Sequence, residues 1–237
     1  MISGTIFNVL TVLVGGSLGR LLGNRLPERM QTTIFDGLGL LTLLVGVEQA
    51  LQTRNVLILL GSTLLGGLLG EAMRIETRVQ QFGDWVQRRL SQEGESRFSE
   101  AFVVSSLLFC VGPLTITGSI ENGLTGNYRP LALKAMLDLF SSLAFAASLG
   151  WGVLASTLTI LFFQGGLSLG AGLFAGILDE EVVRELTATG GLLIMGIGIQ
   201  LLRLKQIAVA NFLPALLLAP FFVLLVRTVA PLLPGLP

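Results

Sequence analysis

Lys134, Asp138, Ser141 and Ser142 stand at i, i+4, i+7 and i+8 within the run from Leu131 to Phe145. On an α-helix that spacing places all four on one face. The rest of the run is apolar, so the helix reads as one immersed in lipid, with Asp138 about midway along it. A carboxylate at that depth is expensive and faces a cavity or a partner, which makes it a candidate site for a proton or cation. Lys134 could pair with Asp138 and keep it ionised. The plainer alternative is an ion pair that only fixes helix packing.

The preceding stretch carries the second candidate. Gly112-Pro113 is followed by Thr115, Thr117, Gly118, Ser119, Glu121 and Asn122. Proline removes one backbone hydrogen bond and clashes with the turn before it. A helix broken inside a bilayer frees carbonyls and amides, which are tolerated where they line a cavity. A simple proline kink is the alternative. The predicted set for a small solute or ion therefore joins Asp138, Lys134, Ser141 and Ser142 to Gly112, Pro113, Thr115, Thr117, Ser119, Glu121 and Asn122. Asn8 of the first span and Gln164, which precedes Gly165-Gly166, complete it. Glu48 and Glu71 lie near span ends, where they reach water.

Much chemistry is excluded. With no histidine and one cysteine, Cys110, the chain supports no internal disulfide, no usual zinc site and no His-assisted nucleophile. It carries no Walker loop, no G-x-S-x-G and no dinucleotide fingerprint. The expectation is no enzyme, no metal and no cofactor. Lys+Arg and Asp+Glu are both 15, so no excess charge points to nucleic acid.

The elements that must position these residues follow from hydropathy. The chain is 52% hydrophobic and 13% charged, against about 25% charged in soluble domains. Segments near 2–23, 33–51, 55–72, 98–120, 131–149, 151–178, 187–202 and 206–229 are apolar enough to span a bilayer. The fold class is an all-α polytopic membrane protein of about eight transmembrane helices, broken near Pro113 and Gly165-Gly166. The first segment lacks a basic leader and a small-residue cleavage site, so it reads as a span rather than a signal peptide. Between spans three and four, residues 73–97 alternate charge with Ile75, Val79, Phe82, Trp85, Val86 and Leu90 at helical spacing. That pattern suits a cytoplasmic amphipathic helix, lying on an anionic membrane or packed on the protein's own ends. Basic residues are twice as many in the loops on that side, which places both termini outside.

The chain also repeats itself. Gly39 to Glu48 aligns without gaps on Gly191 to Gln200, at an offset of 152, and Gly15-Gly16 resembles Gly165-Gly166 at an offset of 150. Spans one to three thus recur as spans six to eight. Five crossings separate the copies, so they point in opposite directions, the inverted plan of many secondary transporters. The single membrane domain divides into repeat A (about 1–72), the amphipathic helix 73–97, central spans 98–149 and repeat B (about 151–230). Glycines at 15, 19 and 23, at 66 and 70, and at 172 and 176 let helices approach closely and leave room for a homodimer.

The run from Gly112 to Gly123, followed by Lys134-x-x-x-Asp138-x-x-Ser141-Ser142 and Gln164-Gly165, resembles the YdfK/YqgA family of bacterial inner-membrane proteins. The likeness extends over nearly the whole chain. It implies a polytopic inner-membrane protein and no particular activity. The residues themselves favour a secondary transporter of a small solute or ion, its site between spans four and five. A passive channel and a non-transporting scaffold or accessory subunit are the rivals.

Overall fold

The computed structural model describes residues 2–23, 27–81 and 98–229. Long apolar runs form helices α1 (Ser3–Gly23), α2 (Glu28–Ala50) and α3 (Val56–Ala72), and the short, mostly polar α4 (Ile75–Gln81) follows. After them come α5 (Phe98–Cys110), α6 (Pro113–Thr125), α7 (Arg129–Leu149), α8 (Gly152–Leu169) and the single turn α9 (Ala171–Phe174). The last described elements are α10 (Glu180–Leu201), a 3-10 turn (Val209–Phe212) and α11 (Ala215–Val229). Among the described residues, six stretches are long and apolar enough to cross a membrane. The count is eight if α3–α4, bent by 56°, and α5–α6, bent by 60°, are each one span.

The contacts show that α5–α6 traverses the bundle rather than doubling back. A Cβ at Gly152, where α8 begins, would meet the Phe98 carbonyl oxygen at 2.2 Å. Further along, Ser106 hydrogen-bonds Thr159 at 2.9 Å. At the far end, a Cβ at Gly123 would meet the Ser168 carbonyl oxygen at 2.1 Å. The bent pair therefore runs beside α8 from its start to its end. Helix α1 lies parallel to α7, with glycine as the reason they can touch. A methyl group at Gly15, Gly19 or Gly23 would meet the carbonyl oxygens of Leu139, Leu143 and Ala147 at 2.3, 2.1 and 2.2 Å.

The two copies face each other. In α2 against α10, a Cβ on Gly46 would meet the Met195 nitrogen at 2.6 Å, and one on Gly198 would meet the Leu43 nitrogen at 2.9 Å. Leu43 and Met195 are themselves 152 apart, as are Gly46 and Gly198. Gly39 likewise approaches Leu202, and Gly191 approaches Ala50. The helices are thus antiparallel, and Gly39, Gly46, Gly191 and Gly198 lie in the crossing, while Gly196 faces Val209. In α1 against α8, Gly16 meets Leu154 and Gly165 meets Thr5, also antiparallel. Those residues match at an offset of 149, one less than the glycine pairs alone suggest. Helices α3 and α11 pack antiparallel too, through Gly66 on Ala215 and Gly61 on Phe222.

One end of the bundle gathers the start of α1, the α2–α3 turn and the end of α11. There Glu185 accepts hydrogen bonds from the Thr53 hydroxyl (2.6 Å) and the Arg54 amide (2.8 Å). Asp179 caps α10 by accepting from the Val182 amide at 3.0 Å, and Arg227 grips Asp179 and Glu181. The Arg227 guanidinium, with the capped amide, holds the Asp179 carboxyl below the usual range. The opposite end joins Arg20 to Trp151 (6.0 Å, cation over ring) and ties Glu76 to the Ala210 amide at 3.0 Å.

Apolar side chains cover the outside of the bundle, with Phe140 69% and Phe162 76% exposed, while Asn8, Ser119 and Gln164 are wholly buried. That is the arrangement lipid favours. Two expectations shift. Helix α8 continues through Gly165-Gly166, because glycine keeps its backbone bonds, and stops instead at Gly170. Of the amphipathic segment 73–97, α4 is helical after a turn at Arg74 (φ 53°), and residues 82–97, with Trp85, Arg88 and Arg89, lie outside the described residues. Gly172 and Gly176 approach nothing within 4 Å.

Candidate functional site

The site begins with the amide that Pro113 lacks. In an unbroken helix the Phe109 carbonyl would accept from residue 113, and a proline has no N–H to give. The Lys134 ammonium takes that place, donating to the Phe109 carbonyl oxygen, and the Thr115 hydroxyl donates to the same oxygen at 3.3 Å. The Lys134 nitrogen also stands 5.7 Å from the centre of the Phe109 ring. The break between α5 and α6 is thus held by a cation from α7.

Lys134 also bonds Asp138, one turn on, and both residues are buried. The carboxylate also meets the Asn8 side-chain amide of α1. Asn8 in turn donates to Gln164 of α8 at 2.9 Å. Five helices, α1, α5, α6, α7 and α8, therefore bring polar groups together at mid-bundle.

Beside the pair lies a cavity of about 280 Å³. Its polar lining is Lys134, Asp138, Ser141, Gly112, Thr115 and, from α2, Thr42 and Gln49. Leu41, Val45, Leu108, Leu137 and Phe145 supply the apolar wall. Helix α6 starts at this wall with no side-chain cap, so the positive end of its dipole lies near the carboxylate. The carbonyl end of α5 faces the ammonium. The two half-helices thus complement the ion pair at a broken span, an arrangement able to bind and release a small ion or polar solute.

A family model described as "Protein of unknown function (DUF554)" matches residues 3–224. The chain belongs to the DUF554 family. The match takes in every helix that builds the cavity. The chain is 33% identical over 223 residues to "Uncharacterized protein YqgA" of Escherichia coli (strain K12), covering 92% of this chain and 95% of that one. It is 27% identical over 228 residues to "Uncharacterized membrane protein YdfK" of Bacillus subtilis (strain 168), covering 94% and 96%. No solved structure matches significantly.

In this DUF554 chain the predicted residues divide into three groups. Asp138, Lys134, Ser141, Gly112 and Thr115 line the cavity, with Pro113 at its break. Asn8 and Gln164 stand behind the carboxylate, and Ser142, buried, donates to the Leu139 carbonyl at 2.9 Å beneath Gly15. The rest of α6 turns elsewhere. Ser119 donates to the Thr115 carbonyl at 2.5 Å, Thr117 is exposed, and Glu121 accepts from Asn127 at 2.7 Å. Asn122 reaches the first turn of α1, accepting from the Gly4 amide at 3.3 Å. Sequence reasoning missed Thr42, Gln49 and the Phe109 carbonyl. A proline four residues downstream was the available signal for the carbonyl. For Thr42 and Gln49, some 90 residues from Asp138, there was none.

Proposed function

We propose that this protein is a secondary transporter of a small solute or ion in a bacterial inner membrane. Asp138 binds the coupling cation or proton, and the cavity at the α5–α6 break receives the solute. The observation that carries the reading is the cavity itself. It joins a buried, hydrogen-bonded ion pair to a broken span, against α2 of the first repeat. Inverted repeats around broken helices suit a site opened alternately to each side. The ligand passes without chemical change, and one copy of the chain contains the whole site. Arg20, Arg29, Arg74, Arg78, Arg203 and Lys205 gather at the end opposite the N-terminus, which supports both termini lying outside.

The test uses purified protein in phosphatidylethanolamine–phosphatidylglycerol vesicles, with trapped pH- and cation-sensitive dyes. Amino acids, carboxylates and monovalent cations are offered under an imposed ion gradient. Gradient-driven uptake is expected from the native protein, and none from Asp138→Asn at unchanged helix content. Equal uptake by the two would overturn the reading.

A further inference from the structure

Most buried hydroxyls in this bundle bond their own helix. Ser62, Ser105 and Ser156 donate to carbonyls three or four residues back, at 2.7, 2.5 and 2.6 Å. Behind Asp138 the pattern changes. The Asn8 Oδ1, Gln164 Nε2, Thr5 Oγ1 and Ser168 Oγ atoms are buried and have no hydrogen-bond partner among the described residues. All four side chains belong to residues no more than 2% exposed.

These groups sit on neighbouring turns of two helices that cross, α1 and α8. Asn8 and Gln164 bond each other next to the carboxylate. Thr5 precedes Asn8 by a turn, and Ser168 follows Gln164 by a turn. Because α1 and α8 are antiparallel, both lie about 5.4 Å nearer the same end of the bundle. Asn122 and Ser3, hydrogen-bonded at 3.3 Å, form the next level, where α1 begins. Gly165 stands beside these groups, and a Cβ there would meet nothing closer than the Thr5 methyl at 3.6 Å. A methyl would fit there in ordinary contact, unlike at the glycines that clamp α1 to α7.

Buried polar atoms in a span find a partner. The unpaired Gln164 atom is a donor, the Asn8 atom is an acceptor, and the two hydroxyls are both. A metal cation would satisfy the acceptors and repel the donor, whereas water satisfies all four. We propose that a single file of water, held by Thr5, Asn8, Gln164 and Ser168, carries protons between the face where α1 begins and the Asp138 carboxylate. A proton enters from bulk water at that face, is relayed along the file and binds an Asp138 oxygen, while Lys134 keeps its bond to the Phe109 carbonyl. This rests on the transporter reading and names the proton as its coupling ion.

Water-edited solid-state NMR of the full chain in the same lipid tests it without knowledge of the solute. Magnetisation from water is expected to reach Thr5 and Ser168 several-fold faster than Ser105 and Ser156, and to be lost in Asn8→Leu/Gln164→Leu. In vesicles, the same double variant is expected to slow potential-driven proton entry severalfold. Thr5 and Ser168 as dry as Ser105, or dried by sodium in place of potassium, would overturn the file. A dry file with uptake abolished by Asp138→Asn sinks only this inference. A hydrated file with uptake indifferent to Asp138→Asn sinks the transporter reading instead.

Discussion

Helix pairs α2·α10 and α1·α8 are both crossings of repeat mates, and both are antiparallel, yet they are built from different materials. The first is closed by Gly39, Gly46, Gly191 and Gly198, each of which would drive a Cβ to within 3 Å of its neighbour. The second has Gly16 and Gly165, which would meet side-chain carbons at 3.1 and 3.6 Å, and puts an Asn–Gln pair in the space between. One crossing is thus a joint, and the other holds a polar pair behind the Asp138 carboxylate. A close backbone crossing excludes everything else, so polar function collects where the same symmetry leaves a gap.

The largest effect should come from forcing the joint. Gly46→Leu or Gly191→Leu pushes a branched side chain into backbone, which costs about 3 kcal/mol in packed interiors. The expected result is a sharply lowered thermal midpoint in detergent, or loss of monodisperse protein on size exclusion. A variant as stable as the native chain would mean that α2 and α10 are free to separate, and the contrast would fail.

How far this contrast could be read from the sequence depends on what kind of signal each part leaves. The joint was legible because four glycines at fixed offsets are rare in apolar runs, and the opposed orientation followed from counting crossings. Asp138 and Lys134 stood out because charge in lipid is scarce. The register of α1 on α8 was not legible to the residue, since adjacent glycines align equally well one step apart. The faces of α6 were equally hidden. Thr115, Thr117 and Glu121 look alike in a polar run, and only the direction in which the helix leaves Gly112 turns Thr115 to the cavity and the others away.

A smaller effect belongs to the polar pair. Asn8→Leu strands the Gln164 amide in the interior, a loss of about 1–3 kcal/mol for an unsatisfied buried group. Asn8→Leu/Gln164→Leu removes both partners and should recover most of that stability while still failing to transport. A double-mutant cycle on thermal midpoints reads the coupling. If the double variant falls as far as Gly46→Leu, the α1·α8 crossing is packed as tightly as its mate and is no site wall.

The smallest change is the most discriminating, because it sets a glycine of the gap against glycines of tight crossings by the same substitution. Gly165→Ala gains helix propensity and meets only an ordinary contact with Thr5, so its stability should stay within about 1 kcal/mol of native. Gly191→Ala adds the same methyl where the Ala50 nitrogen is 2.4 Å away, and Gly19→Ala where the Leu143 oxygen is 2.1 Å away. Both should lower the midpoint clearly, since backbone cannot step aside as a side chain can. Proton entry should rank the other way, with Gly165→Ala slowed because its methyl narrows the space next to Gln164. Equal losses of stability at all three positions would show that Gly165 is retained for packing, and that the gap beside Asp138 has no part in transport.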